Sequence, residues 1–314
     1  MVFFNKHISN LKIKNKLKTK SKIPICYFDE NIINNELIKN NVINEISEKL
    51  TNKSMYIGCA ELEKHYRHKH FKNQISFIFH LISYRIIPKL KILNFLLKIF
   101  KINYLILSKA EIIGRLYYSG FEVVDYIEKN NKFFFCAEKK YKISKIKPSK
   151  HIIYSMPRIG RYGKIIYLFK FRTMYSYSEF IYEFIQNQNG TNIYGKIKND
   201  YRITNYGKIM RKYWIDEIPQ LYNFLKGEIN LVGPRAVSKN YYNNLPKDIK
   251  KNRLKVKPGF IPPSICFNLH YSEKSMLEAE RLFYEYKKNN PITCTINLLF
   301  FAFYNAIFKK IRGN

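Results

Sequence analysis

The chain has 314 residues, which is enough for one large domain or two ordinary domains whose cores need no disulfide support. A hydrophobic fraction of 46% and an aromatic fraction of 16% exclude a disordered chain, although the formal net charge is +33. That charge predicts an acidic partner, which can be nucleic acid, an anionic membrane surface or a phosphate-bearing substrate.

The cysteines and the N-terminus argue against a secreted protein. The cysteines are scattered and contain no CxxC pair, so the sequence predicts neither a disulfide framework nor a zinc site. No apolar run follows a basic start, so no secretory signal is expected, and no segment reaches the roughly 18 uncharged apolar residues of a spanning helix. His65, His68 and His70 alternate with Lys and Arg, which favours a solvated basic turn over a metal site.

The first part of the chain contains signals for both helices and strands. Residues 31–50 have helical spacing, and residues 55–60 are typical of a short buried strand. Ser108 followed by Glu111 forms a capping box that predicts a helix, which Gly120 ends. These elements predict an α/β fold.

Two strands, over residues 121–125 and 132–137, are predicted to follow that helix. The order strand, helix, strand, strand resembles the last part of a methyltransferase-like nucleotide fold. No glycine-rich loop precedes it to hold a cofactor, so we expect residues 1–140 to be an accessory domain without methyl-transfer activity. The basic residues 141–151 predict a linker.

Two apolar stretches predict amphipathic helices at a membrane surface. Residues 75–107 are interrupted by Lys and Arg and broken at Pro88, which argues against a spanning helix. Helices packed on the accessory domain explain this stretch equally well. Residues 292–311 are strongly aromatic and contain two adjacent lysines near their end, which favours a membrane-surface helix there.

The block over residues 199–236 carries the most chemical information. Residues 207–213 predict a short helix with basic side chains available to anions. Asp216 and Glu217 then stand at the start of a new helix, where Pro219 is tolerated because first-turn amides have no intrahelical partner. Taken alone, this pair is an ordinary helix start, with Asp216 as the cap and Glu217 complementing the helix dipole. The same geometry also suits phosphate and metal binding.

An ordered set of short motifs surrounds this pair. The motifs are Pro157-Arg-Ile-Gly-Arg-Tyr-Gly-Lys, Phe169-Lys-Phe-Arg-Thr-Met, Asp200-x-Arg-x-Thr, Asp216-Glu-Ile-Pro-Gln-Leu, Leu225-Lys-Gly, Leu231-Val-Gly-Pro-Arg and Lys255-Val-Lys-Pro-Gly. No single motif is specific, but the ordered set resembles the bacterial sugar transferase family, the monotopic polyprenyl-phosphate phosphoglycosyl transferases.

The resemblance implies a chemistry for the two carboxylates. Asp216 would be the nucleophile that attacks the sugar-linked phosphorus of a UDP-sugar and expels UMP. Glu217 would bind the Mg²⁺ that neutralises the diphosphate. A polyprenyl (undecaprenyl) phosphate would then take the sugar phosphate from Asp216, which initiates a glycan of the exopolysaccharide, capsule or O-antigen type.

The resemblance also implies residues that bind the two phosphate-bearing substrates. Arg211, one helix turn before the pair, is expected to clamp phosphate. Lys170 and Arg172 are expected to bind as well, unless they only form the solvated face of a strand. Arg158 and Arg161 are expected to shape a hairpin loop. The substrate-binding candidates are Lys170, Arg172, Arg202, Arg211, Pro234 and Arg235.

Residues 152–314 are therefore expected to form a helix-rich α+β transferase domain at the cytoplasmic face of the bacterial inner membrane, attached monotopically or peripherally. Trp214 and Ala236 depart from the family pattern, and residues 141–151 occupy the place of the family's re-entrant membrane helix. Two other classes stay open. A nucleic-acid-binding protein would explain the charge and the aromatic residues but has no reading module, and an inactive membrane scaffold would leave the carboxylate pair without a use.

Overall fold

A computed structural model describes residues 12–14, 20–33, 41–62, 108–130, 132–149, 151–191, 197–269 and 272–309. The chain divides into two compact units, which are described separately. The first unit consists of Met1–Lys150, Met174–Asn189 and Asn199–Arg202, and the second of His151–Thr173, Gly190–Lys198 and Ile203–Asn314.

The first unit is an α/β fold around a five-stranded sheet in the order β1-β2-β3-β5-β4. Strands β1, β2 and β3 are parallel, and β5 runs antiparallel between β3 and β4. The elements are β1 (Lys12–Lys14), β2 (Ile25–Ile33), α1 (Val42–Lys49), β3 (Met55–Glu61), α2 (Lys109–Tyr118), β4 (Phe121–Lys129), β5 (Lys132–Lys139) and α3 (Tyr182–Asn189). The resemblance of this unit to a methyltransferase-like fold stays a prediction.

The capping box at α2 is confirmed. The hydroxyl of Ser108 accepts from the amide of Glu111 at 3.2 Å, and the Glu111 carboxylate accepts from the amide of Ser108 at 3.4 Å. Gly120 follows the helix with φ +86, a conformation that a side chain disfavours. The helical prediction for residues 31–50 is wrong at its start, because β2 continues to Ile33 in parallel pairing with β3.

Two segments beyond residue 150, Met174–Asn189 and Asn199–Arg202, belong to the first unit. The predicted division at residues 141–151 assigns them to the second domain. The ring of Tyr118 in α2 packs edge-on against Tyr177 and Phe180, and Tyr117 packs against Phe184. Gly114 permits this packing, since a Cβ there would lie 2.4 Å from the carbonyl oxygen of Tyr177. Aromatic packing therefore draws this later part of the chain onto α2.

A lysine is buried in the first unit. The ammonium of Lys139 donates to the hydroxyl of Ser47 and, at 3.0 Å, to the carbonyl of Ser119. It also lies 5.2 Å from the ring centroid of Phe121. Burial lowers the pKa of Lys139 to about 8, against a smaller opposing effect of Glu48.

The second unit consists of short strands and helices. They are β6 (Ile153–Ile159), β7 (Ile165–Phe171), α4 (Asn205–Lys212), α5 (Gln220–Leu225), β8 (Asn230–Val232), α6 (Lys239–Asn243), α7 (Lys247–Lys255), β9 (Gly259–Ile261), α8 (Pro263–Cys266), α9 (Glu273–Asn289) and α10 (Cys294–Phe308). Strands β6 and β7 form an antiparallel hairpin, and β8 pairs in parallel with β9. The helix-rich α+β prediction matches this composition.

The hairpin loop between β6 and β7 is a 3-10 turn over Arg161–Gly163. The guanidinium of Arg161 lies over the ring of Tyr162 at 4.5 Å, so the predicted loop-shaping role of Arg161 fits its position. Strands β8 and β9 approach closely, because a Cβ on Gly259 would lie 2.0 Å from the amide nitrogen of Gly233. Glycine at this crossing is therefore a steric requirement.

Helix α10 has one buried and one exposed apolar face. Leu298 and Ala302 pack in a core with Phe283 of α9, and Asn305 donates to the carbonyls of Ile265 and Cys266 at 3.0 and 2.8 Å. The opposite face carries large exposed side chains, with Phe300 at 66% and Phe303 at 67% exposure. This face is continued by Ile296, Tyr304, Ile307 and Phe308, and Ile292 is exposed just before the helix.

The helix predicted within residues 292–311 is thus present. Among the residues that the structure describes, no helix is both long enough and apolar enough to span a membrane. The predicted membrane-surface segment at residues 75–107 and the histidines at positions 65, 68 and 70 lie outside the described residues. None of the five cysteines forms a disulfide.

Candidate active site

Asp216 and Glu217, called the dyad below, lie in a tight turn before α5. Trp214 adopts a left-handed conformation with φ 56, and a 3-10 turn follows over Ile215–Glu217. The amide of Glu217 donates to the carbonyl of Trp214 at 3.0 Å. Asp216 therefore lies inside the turn and does not cap α5, and both carboxylates of the dyad are buried.

Lys170, near the end of β7, contacts both members of the dyad. Its ammonium lies 2.5 Å from Oε1 of Glu217 and 3.9 Å from Oδ2 of Asp216. The side chain is only 15% exposed, so the interpretation as the solvated face of a strand is wrong for Lys170. The structure brings this candidate together with the dyad.

Asn223 fixes β7 relative to the helix that follows the dyad. Its side-chain amide donates to the carbonyl of Tyr167 at 2.8 Å and to the Glu228 carboxylate at 2.6 Å, and its oxygen accepts from the amide of Phe169 at 3.1 Å. Asn223 is fully buried, so these contacts satisfy groups that would otherwise be costly to bury. The amide occupies the open edge of β7, as a neighbouring strand would.

Arg211 is placed by the first turn of α4. Thr204 caps this helix by accepting from the amide of Gly207 at 2.9 Å, and it donates to the carbonyl of Thr173 at 3.0 Å. A Cβ on Gly207 would lie 2.2 Å from that same carbonyl, so glycine allows the approach. One turn later, Nε of Arg211 donates to the hydroxyl of Thr173 at 2.9 Å.

Arg235 reaches the dyad from the turn after β8. Nη2 of its guanidinium donates to Oε1 of Glu217 at 2.8 Å, while 63% of the side chain is exposed. Pro234 is buried, and its carbonyl accepts from the amide of Gly259 at 3.0 Å. Pro234 therefore supports the turn, and Arg235 is the member of this candidate pair that contacts the dyad.

A shallow groove adjoins Arg235. Its empty volume is about 240 Å³, open to solvent, and its walls include Tyr242, Val256 and Pro258.

The two carboxyl groups of the dyad have shifted pKa values of opposite sign. Burial raises the pKa of Asp216, and the neighbouring Glu217 adds to that increase, against opposing effects of Lys170 and Arg211. Burial also acts to raise the pKa of Glu217, but Arg235 and Lys170 together lower it below its ordinary value. Glu217 is thus held as a carboxylate, whereas Asp216, which is equally buried, has a raised pKa.

Tyr154 is a site residue that sequence reasoning missed. It lies opposite Lys170 in the hairpin register. Burial raises the pKa of its phenol, Arg211 opposes this increase, and Asp216 adds to it. The guanidinium of Arg172 lies 5.6 Å from the Tyr154 ring centroid, and its Nε donates to the carbonyl of His151 at 3.0 Å. Arg172 thus borders the site through Tyr154, and its predicted contact with substrate stays a prediction.

Two further arginines differ in their positions. Arg158 lies in β6, and burial lowers the pKa of its guanidinium. Tyr154 opposes this decrease, and the positive charge of Arg235 adds to it. Arg202 belongs to the first unit and is buried in an ion pair with Asp200, with 2.7 Å between Nη2 and Oδ2. The contacts of Arg202 support a structural role in its own loop, and its predicted binding of substrate stays a prediction.

The two adjacent carboxylates of the dyad could take part in holding a divalent cation. Lys170 and Arg235 both bond Oε1 of Glu217. Mg²⁺ is commonly held by one or two carboxylates together with phosphate oxygens, so two adjacent carboxylates fit this mode. Among the described residues, no group of three or more His, Cys, Asp or Glu side chains could form a cage for a metal without substrate.

Comparison with known proteins gives one family match. The sequence profile of a family described as bacterial sugar transferase matches residues 140–309, more than half of the chain. The matched range contains the dyad together with Lys170 and Arg235.

Three curated relatives match about one third of the chain. A galactosyl transferase, CpsE, of Streptococcus agalactiae is 42% identical over 109 residues, which cover 34% of this chain and 24% of that protein. An undecaprenyl-phosphate galactose phosphotransferase of Salmonella typhimurium is 39% identical over 112 residues, covering 34% and 23%. A UDP-glucose:undecaprenyl-phosphate glucose-1-phosphate transferase of Xanthomonas campestris is 34% identical over 110 residues, covering 34% and 21%. The matched part thus spans about a quarter of the length of these relatives.

Proposed function

Because the chain belongs to the bacterial sugar transferase family, we propose that it transfers a sugar 1-phosphate from a UDP-sugar to a polyprenyl phosphate and releases UMP. The relatives named as undecaprenyl-phosphate sugar phosphotransferases support this assignment. The product, a polyprenyl diphosphate-sugar, would start the assembly of a surface glycan.

One observation carries the proposal: Lys170 and Arg235 converge on one oxygen of Glu217, directly beside the buried Asp216. A diphosphate donor and a phosphate acceptor must share one site, and their negative charges require compensation. Lys170, Arg211 and Arg235 supply three positive charges against the two carboxylates. The site therefore has an excess of positive charge for an anionic substrate.

Asp216 acts as the nucleophile in this proposal. A carboxylate oxygen of Asp216 bonds to the sugar-linked phosphorus, the bond from that phosphorus to the bridging oxygen breaks, and UMP leaves with the electron pair. A phosphate oxygen of the polyprenyl phosphate then bonds to the same phosphorus, and the bond to Asp216 breaks. Burial of Asp216 favours the first step, because a less hydrated carboxylate is a stronger nucleophile.

Glu217 keeps the two cations of the site in position. Its carboxylate fixes the ammonium of Lys170 and the guanidinium of Arg235 near the place where the donor phosphates must lie. Glu217 and Asp216 would also hold Mg²⁺, which supplies charge neutralisation of the diphosphate and of the departing UMP. Arg235 is largely exposed, so it can exchange its bond with Glu217 for one with a substrate phosphate.

We also propose that the exposed face of α10 lies in the headgroup region of the cytoplasmic leaflet. The acceptor carries a long polyprenyl chain, so the enzyme must work at a membrane. Helix α10 exposes a row of large apolar side chains on the face opposite its buried one, and the chain as a whole is strongly basic. These properties suit a helix that lies flat on an anionic bilayer surface.

The test uses the full chain reconstituted in vesicles with polyprenyl phosphate, Mg²⁺ and a panel of UDP-sugars. We expect UMP release with at least one donor and, without acceptor, a mass increase of one sugar phosphate on the protein. Asp216→Asn should abolish both signals. Asp248→Asn removes an exposed carboxylate of the same unit and should change neither.

Absence of UMP release across the panel, or full activity of Asp216→Asn, would overturn the proposal. Detection of the phosphosugar adduct on Asp216 would exclude an inactive scaffold. Tight DNA binding with a steep salt dependence would instead favour the nucleic-acid alternative.

A further inference from the structure

A buried ion pair lies behind the candidate active site. Arg253 of α7 forms a two-pronged bond with Glu280 of α9: Nε lies 2.9 Å from Oε2, and Nη2 contacts Oε1. Both side chains are only 9% exposed. Burial raises the pKa of Glu280, which Arg253 opposes, so ionising this carboxylate in the folded protein is costly.

The third nitrogen of the Arg253 guanidinium is connected to the dyad through Arg235. Its Nη1 donates to the main-chain carbonyl of Arg235 at 2.8 Å. The side chain of Arg235 in turn bonds Glu217 at 2.8 Å. A continuous series of polar contacts thus connects Glu280, Arg253, Arg235 and Glu217.

We infer that Arg253 is a positioning residue for the transferase reaction, held by Glu280, which fixes the main chain of Arg235 so that its guanidinium reaches Glu217. This inference rests on the proposed function for its catalytic meaning, while the positional claim stands on geometry alone. Arg235 needs such a support because 63% of its side chain is exposed and one hydrogen bond leaves a long side chain many other rotamers.

Arginine is the side chain that this position requires. A planar guanidinium can bond both carboxylate oxygens of Glu280 with two nitrogens while a third nitrogen reaches the Arg235 carbonyl. A lysine ammonium is a compact charge, which can neutralise Glu280 but cannot make all three contacts with this planar geometry. Comparing Arg253→Lys with the wild type therefore separates the effect of the charge of Arg253 from its positioning role.

The first experiment measures the reactivity of Arg235 towards phenylglyoxal in the reconstituted full chain, read by peptide mass spectrometry. The double variant Arg253→Met/Glu280→Met removes both buried charges together and so avoids an unpaired one. We expect Arg235 to be modified several-fold faster than in the wild type, and about as fast as in Glu217→Gln. Arg253→Lys keeps the charge beside Glu280 and should also accelerate modification.

A matched control joins the same two helices. Arg281 and Asp248 form an exposed ion pair between α9 and α7, with 2.8 Å between Nε and Oδ2. Arg281→Met/Asp248→Asn should leave the modification of Arg235 at the wild-type rate. If Arg253→Lys and the double methionine variant both show the wild-type rate of Arg235 modification, the inference is overturned. One folded variant of the two is enough for comparison with the wild type.

The second experiment measures UMP release in a double-mutant cycle. The methionine pair should lower kcat/KM about tenfold in the wild-type background and have little further effect in Arg235→Met, because Arg253 acts through Arg235. Equal losses in both backgrounds would show a general structural role and overturn the inference. If the wild type releases no UMP, the proposed function fails, while the modification rates still decide whether Arg253 positions Arg235.

Discussion

The ammonium of Lys170 lies 2.5 Å from Glu217 and 3.9 Å from Asp216, so one cation contacts both carboxylates of the dyad. We expect Lys170→Met to lower kcat for UMP release about 100-fold, because it removes charge stabilisation from a buried site. Lys170→Arg keeps the charge and should retain more activity than Lys170→Met. Equal activities of Lys170→Met and the wild type would show that this cation takes no part in the reaction.

Asn223→Ala should destabilise the second unit by about 2 kcal/mol, because it removes the buried side chain that bonds the main-chain carbonyl of Tyr167 and the main-chain amide of Phe169. The measurement is urea unfolding followed by circular dichroism. Asn240→Ala, an exposed asparagine in α6, is the control and should change the free energy of unfolding by less than about 0.5 kcal/mol. Similar values for both variants would contradict the bracing role of Asn223.

The buried Lys139 predicts a pH dependence of stability. Its folded-state pKa of about 8 lies below the unfolded value, so the folded protein binds fewer protons at this site between pH 8 and about 10.4. The free energy of unfolding of the wild type should therefore rise through this window, relative to Lys139→Met, by roughly 3 kcal/mol.

The neighbouring lysine provides the control for that titration. Lys140 pairs with Glu122 at 2.8 Å, and this hydrogen-bonded pair raises the pKa of Lys140. Its contribution is present below the unfolded pKa and is lost only as pH rises through the higher folded value. The difference in the free energy of unfolding between the wild type and Lys140→Met should therefore show no rise between pH 8 and 10. The same pH trend in Lys139→Met and Lys140→Met would contradict the prediction.

The exposed face of α10 predicts membrane binding. Phe300→Glu/Phe303→Glu should weaken binding to phosphatidylglycerol-containing vesicles at least tenfold, roughly the effect of losing two large apolar contacts and adding negative charge. Met276→Glu/Leu282→Glu makes the same chemical change at exposed positions of α9 and should bind more nearly like the wild type. Sedimentation with vesicles measures both, and equal losses would locate the membrane contact elsewhere.

Trp214 predicts a simple stability comparison. Its φ of 56 is unfavourable for a residue with a Cβ, so Trp214→Gly should be more stable than Trp214→Ala by about 1 kcal/mol. Thermal unfolding of the two variants measures the difference. Because both variants lose the indole ring, a higher stability of the alanine variant would show that the turn does not depend on this conformation.

Local signals predicted those parts of the molecule that local chemistry determines. The capping box at Ser108, the strands after Gly120 and the hairpin around Arg161 all depend on neighbours within a few residues. β2 was harder, because its parallel pairing with β3 is a long-range contact that helical spacing in residues 31–50 concealed. The pattern of side chains alone does not show which edge of a sheet a segment joins.

The same distinction applies to the candidate site. The motif order predicted Lys170, Arg211 and Arg235 near the dyad, and the structure places all three there. It also suggested Arg202, whose partner Asp200 stands two residues away and takes up its charge. Tyr154 could have been found from the hairpin register opposite Lys170, but Asn223 gives no signal in the sequence that it braces the edge of β7.

The contact between Arg253 and Glu280 also limits how short a working fragment can be. Among the described residues, the two cations that pair with the dyad, Lys170 and Arg235, both precede position 236. A fragment ending soon after Arg235 would contain these cations together with the dyad. Such a fragment would lack α7 and α9, and with them the support for the Arg235 main chain. A minimal transferase made from this chain must therefore extend beyond residue 280, far past its last reactive group.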